Sequence, residues 1–153
     1  MERLDTRTRT LWIATGTLMG AIFGAIIAFA LMIADLNMLF GIASIVILAA
    51  SFGYFSILRY RRWGFELRDD HIYLEHGVLW KTTSMVPHVR IQNTDTVRGP
   101  LYRFLGLSSL VVYTAGSKGA DIKIPGIDYQ RADELQDILK DQSVESGERH
   151  DGV

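Results

Sequence analysis

The sequence predicts a membrane α-helical hairpin followed by a small α+β domain, an antiparallel sheet capped by a C-terminal helix. Three observations predict it. Residues 10–58 are almost wholly apolar and are interrupted by one aspartate. From Trp63 onward apolar residues recur at every second position, the period of a strand. Toward the end they return at helical spacing. At 153 residues the chain has room for one modest domain beside the apolar third.

No charged residue lies between Arg9 and Asp35, nor between Asp35 and Arg59. Each interval exceeds the roughly 20 residues that a helix needs to cross a hydrocarbon core. Transmembrane helices are therefore expected over 10–34 and 36–58. Core helices of a soluble protein fit poorly, because the remaining chain is too small to bury both all round. A cleaved signal peptide fits the leading arginines and Ala28-Phe29-Ala30 superficially, but the apolar run is too long and a second follows at once. The short turn Ala34-Asp35-Leu36-Asn37 forces an antiparallel hairpin. Arg3, Arg7 and Arg9 precede the first span, Arg59, Arg61 and Arg62 follow the second, and the turn has no Lys or Arg. The positive-inside rule then predicts a multi-pass protein of the cell membrane, with segment 1–9 and the C-terminus both cytoplasmic. Trp12, Tyr60 and Trp63 stand where interfacial aromatics are expected.

Gly16, Gly20, Gly24 and Ala28 recur every four residues along span one, with Ala49 and Gly53 as a shorter stripe on span two. Small residues let helix backbones approach closely. The stripe serves packing within the hairpin, or a homo-oligomer or membrane protein partner; the two are compatible.

In the soluble part, Trp63, Phe65 and Leu67 alternate with polar neighbours, and Asp69-Asp70 turns the chain. Ile72 and Leu74 continue the alternation, His76-Gly77 turns it again, and a third strand is expected from about Leu79 to Val86, ended by Pro87. A fourth strand is expected over about Arg90 to Arg98. Gly99-Pro100 breaks it, and Leu101, Phe104 and Leu105 are spaced for a short helix. Ser109 to Thr114 and Asp121 to Ile124 are expected to pair around a loop at Ala115–Gly119. Asp128 is a plausible N-cap for a helix whose apolar face is Ala132, Leu135, Ile138 and Leu139, ending near Asp141. The domain is expected over 60–141, and 142–153 reads as a disordered tail.

The composition argues against most chemistry. The chain has no cysteine, which removes disulfides, thiolate nucleophiles and Cys-based zinc sites. His71, His76, His88 and His150 form no helical i, i+4 pair, and His71 and His76 point to opposite faces of one strand, so no metal site is expected. Gly116-Ser117-Lys118-Gly119 lacks the phosphate-loop pattern. Ser108-Ser109 sits in no nucleophile elbow. No catalytic constellation and no cofactor are expected, and the chain is read as non-enzymatic. With a formal net charge of -1, it carries no signature of nucleic-acid binding.

The stretch from Pro87 to Gly116 then becomes informative. Pro87, Arg90, Ile91, Gln92, Gly99, Pro100, Arg103, Gly106, Leu107 and Ala115-Gly116, with His76-Gly77-Val78-Leu79 before and Ile124-Pro125-Gly126-Ile127 after, resemble the bacterial PH-like domain of YdbS-like membrane proteins. The resemblance covers about 60–140. It implies a PH-like fold, a bent antiparallel sheet or barrel capped by a C-terminal helix, with membrane attachment and no defined activity. Seven strands are usual in such folds; about six are read here. Phosphoinositide binding is not implied, because the first strand turn carries Asp69 and Asp70 where basic residues would be needed.

The basic residues remain as candidate headgroup contacts: Arg59, Arg61 and Arg62 at the span's end, and Lys81, Arg90, Arg98 and Arg103 in the domain. Each near an anionic leaflet contributes about 1 kcal/mol of attraction. The plainer reading is that the first three fix topology, while Arg90 and Arg103 bond loop carbonyls and carboxylates such as Asp95. The expected function is a membrane-anchored module for protein–protein interaction or assembly, a free strand edge accepting a partner. The alternative is a peripheral sensor of anionic headgroups.

Overall fold

A computed structural model describes residues 1–115 and 120–150. It divides into two compact units, Arg9–Arg62 and a second made of Met1–Thr8 together with Trp63–Val153.

The first unit is the helical hairpin. Helix α1 runs Thr6–Ile33 and α2 runs Met38–Arg61. Asp35 takes the left-handed conformation in the turn (φ 55°), which a short polar side chain tolerates. Asn37 caps α2, its side chain accepting from the Leu39 N–H at 3.0 Å. The small-residue stripe faces inward: a methyl at Gly16 would overlap Ser56, one at Gly20 the Leu48 carbonyl, and one at Gly24 would lie 2.5 Å from the Ile45 Cα. Ala28 lies against Gly41, and Gly53 against Thr17. Ser44 donates across the pair to the Gly24 carbonyl at 3.1 Å. The stripe thus packs the hairpin upon itself. Only 11% of each apolar window is buried, where the core helix of a soluble protein would be mostly covered.

The second unit holds two antiparallel sheets and two helices. Strands β1 (Gly64–Leu67), β2 (His71–His76) and β3 (Thr82–Pro87) form one meander, and β4 (Ile91–Val97), β5 (Leu107–Thr114) and β6 (Ala120–Asp128) another. Helix α3 (Pro100–Phe104) connects β4 to β5, and α4 (Tyr129–His150) closes the chain, packing on β4, β5 and β6. Alternation decides what is buried: Phe65, Ile72 and Leu74 from the first sheet, Leu110, Val112, Ile122 and Ile124 from the second, and Ala132, Leu135 and Leu139 from α4. Each large side chain so buried stabilises the fold by about 1.5–3 kcal/mol. Asp128 accepts from the Gln130 N–H at 3.0 Å, the cap that the sequence predicts.

Four expectations need correction. The third strand begins at Thr82 rather than Leu79, because Gly77 (φ 120°) lets the chain fold back so tightly that a Cβ there would overlap the Trp80 carbonyl; Leu79 and Trp80 form a loop. Trp63 is 7% exposed and stacks on His76, so it is domain core and not an interfacial aromatic. Helix α4 continues to His150, past the end expected near Asp141: residues 142–150 contain no proline to stop it. Finally, the first helix begins at Thr6 rather than at residue 10, and Met1–Thr8 folds with the domain. The loop expected at Ala115–Gly119 falls, after Ala115, outside the described residues, as do 151–153 of the expected tail.

Candidate functional site

Each three-stranded sheet has two edges, and an uncovered edge presents a row of unpaired N–H and C=O groups. The β1 edge is closed by the chain's own beginning. The Glu2 N–H donates to the Phe65 carbonyl at 2.7 Å, and the Phe65 N–H to the Glu2 carbonyl at 3.0 Å. Leu4 and Thr8 are buried beside it. The same segment meets β6: the Asp5 N–H and the Thr8 Oγ1 both donate to the Gly126 carbonyl, at 3.0 and 2.8 Å. Arg7 bonds Asp128 at 2.7 Å and the Leu105 carbonyl at 2.9 Å, and Arg131 of α4 grips both carboxylate oxygens of Glu2 at 3.0 Å. Those bonds raise the Arg131 pKa, Glu2 contributing first and Glu134 second.

The β4 edge is met by α4. The Gln136 side chain donates to the Thr94 carbonyl at 2.8 Å and accepts from the Thr96 hydroxyl at 2.7 Å. One amide side chain so stands in for part of a neighbouring strand.

Strand β3 differs. It pairs with β2 on one side and has no strand on the other. The His88 N–H donates to the Asp70 carbonyl at 3.1 Å, which fixes the alternation of hydrogen-bonded pairs. By that register Ser84 and Val86 exchange bonds with β2, while the backbone groups of Thr83 and Met85 point away from it. Thr83 and Met85 are exposed, and among the described residues nothing bonds their outward groups. Pro87, lacking an N–H, ends the edge.

The basic candidates are not gathered into one site. Lys81 pairs with Glu75 at 2.7 Å, and Arg98 pairs with Asp133 at 3.0 Å while its guanidinium lies over the Tyr129 ring. The Lys81 bond raises the Lys81 pKa and holds the Glu75 carboxyl below its ordinary value. Arg59 stacks on Trp12 at 4.4 Å, and Arg61 and Arg62 are exposed. Arg90 and Arg103 are exposed, and neither makes the expected bonds to loop carbonyls among the described residues; Asp95 accepts from Asn93 instead, at 3.1 Å. His71 bonds Asp70, lowering its pKa, and the buried His88 bonds the Arg68 carbonyl at 2.8 Å. Among the described residues no cluster of three His, Cys, Asp or Glu could hold a metal.

Sequence reasoning missed the N-terminal segment. Its signal was faint: one apolar residue, Leu4, within a run of polar ones, and arginines that already had a reading as topology signals.

The geometry defines a class: a membrane helical hairpin joined to a small domain of two antiparallel sheets closed by a C-terminal helix. The bacterial PH domain family model matches residues 14–143, and the chain belongs to that family. Its relatives include the transmembrane protein YdbS of Bacillus subtilis (strain 168), 31% identical over 82 residues. That match takes in 54% of this chain and spans half, 50%, of the relative's length. No solved structure matches the chain. The protein is therefore a membrane protein of PH-like fold.

Proposed function

We propose that the chain is a non-enzymatic module, anchored by its two helices with both ends in the cytoplasm, that holds a protein partner at the membrane face. The partner adds a strand to β3. The observation that supports this is selective exposure. The N-terminal segment closes β1 and reaches β6, Gln136 meets β4, and β3 keeps outward groups at Thr83 and Met85. Strand addition gives affinity through such main-chain bonds and specificity through alternate side chains. The headgroup-sensor reading has less support, because Lys81 and Arg98 spend their charge on Glu75 and Asp133.

The test is a photo-crosslinking residue at Met85 of the full-length protein in its native membrane. A specific adduct is expected. It should persist at high salt, where charges are screened within about 3 Å, and vanish with Thr83→Pro, which removes an outward N–H and leaves the β2 pairing whole. An adduct that survives Thr83→Pro, or that salt abolishes, would sink the reading.

A further inference from the structure

Among the exposed apolar side chains of the domain, two aliphatic–aromatic pairs lie beside the points where the chain leaves for its membrane helices. The first is the loop between β2 and β3, where Leu79 is 78% and Trp80 81% exposed. The second is α3, where Leu101 is 59% and Phe104 89% exposed. A single exposed leucine needs no explanation. An aliphatic–aromatic pair repeated in a loop and on a short helix does.

Position supplies the explanation. Trp63, the first residue of the domain after α2, stacks on His76 with ring centroids 5.6 Å apart, and His76 is the last residue before the Leu79–Trp80 loop. Gly64 stands opposite Glu75 in the same register, so the loop projects from the end of the sheet at which the chain arrives. On the other side, the Leu105 carbonyl that follows Phe104 receives Arg7, and Thr8 is fixed to Gly126. The covalent reach is short. From Thr8 to Leu11, the first residue of the apolar run, three residues span at most about 10 Å. From Leu58 to Trp63 five residues span at most about 18 Å.

We propose that Leu79–Trp80 and Leu101–Phe104 are two feet by which the domain stands in the interfacial layer of its own bilayer. The ligand is the boundary between headgroups and acyl chains, where tryptophan and phenylalanine favourably place an amphipathic or apolar ring. Recognition is chiefly apolar: Lys81 beside the first foot is engaged by Glu75, and the second foot carries one exposed cation, Arg103, between Leu101 and Phe104. This binding surface is distinct from the β3 edge and stands whether or not a partner strand docks there.

The absence of native cysteine makes the test direct. Full-length Trp80→Cys, Phe104→Cys and, as a control on the exposed side of α4, Asp137→Cys each receive an environment-sensitive fluorophore. They are reconstituted into phosphatidylcholine vesicles with and without phosphatidylglycerol. At positions 80 and 104 the emission should shift to the blue, be lost to doxyl groups carried on the lipid, and resist aqueous iodide, in both lipids. Position 137 should behave oppositely. Iodide-accessible labels at 80 or 104, untouched by the lipid quencher, would overturn the proposal. Lipid quenching confined to anionic vesicles would overturn it in favour of headgroup attraction. All of these side chains are exposed, so the substitutions remove little packing. Leu79→Cys and Leu101→Cys repeat the reading should either first variant fold poorly.

Discussion

At the scale of single residues the join between Thr8 and Gly126 is tightly constrained. Gly126 has φ 64°, and a Cβ there would run into the Thr8 side chain. Gly126→Ala therefore meets backbone strain and a clash together, and should destabilise the protein by about 1–3 kcal/mol in thermal unfolding of the reconstituted chain. Gly99 is a fair comparison: its φ is -70° and nothing lies within 4 Å of a built Cβ. Gly99→Ala should be neutral or stabilising by about 0.4–1 kcal/mol, through the unfolded state alone. The Glu75–Lys81 pair gives a pH signature. Because the bond lowers the Glu75 pKa in the fold, its stabilisation is present above the ordinary carboxylate range and is lost as the pH falls through the lowered value. Lys81→Met should flatten that part of the acid unfolding curve; an unchanged curve would show that the pair adds nothing measurable.

At the scale of elements the hairpin tests itself. Ala28 Cβ lies 3.2 Å from a Cβ built on Gly41, close to the separation that a disulfide bridges. Ala28→Cys with Gly41→Cys should therefore oxidise within one chain, leaving a monomeric band with altered mobility on a gel. A disulfide-linked dimer would mean that the stripe also faces a second copy. The spans, the stripe, the first meander and the buried face of α4 were legible because each depends on local periodicity: twenty uncharged residues, a four-residue repeat, an alternation of two. The start of β3 was not legible, because a fold-back at Gly77 depends on where the Trp80 carbonyl lies and not on an apolar pattern. Trp63 has the composition of an interfacial aromatic and the neighbours of a core one, and only the His76 ring distinguishes them. Gln136 was invisible as an edge cover because a glutamine on a helix is ordinary until its partner strand is known.

For the molecule as a whole the N-terminal segment matters most. Met1–Thr8 belongs to the same unit as the C-terminal domain, and the proposed topology puts both on one side of the membrane. Reporters fused before Met1 and after Val153 should both be active in the cytoplasm. Activity of both only outside would reverse the proposed orientation, and a split result would contradict the joined unit. Sequence reasoning could reach the hairpin and the domain separately. It could not tie the N-terminal segment to the domain, because the bonds that do so link residues more than a hundred positions apart, such as Arg131 to Glu2, and carry no periodic trace.

That join also constrains how the protein is made. Met1–Thr8 precedes both membrane helices and is held by residues that follow them, Gly126, Asp128 and Arg131. During synthesis the opening segment has nothing to bind, and the two helices must be inserted before its partners exist. A chain that inserts only one helix strands its beginning across the bilayer from its end. The β1 edge then stays bare and the pocket for Leu4 stays empty, both of them marks that proteases and aggregation find readily. The closing contact thus forms only in a chain whose segment before α1 and whose domain after α2 lie on one side of the bilayer.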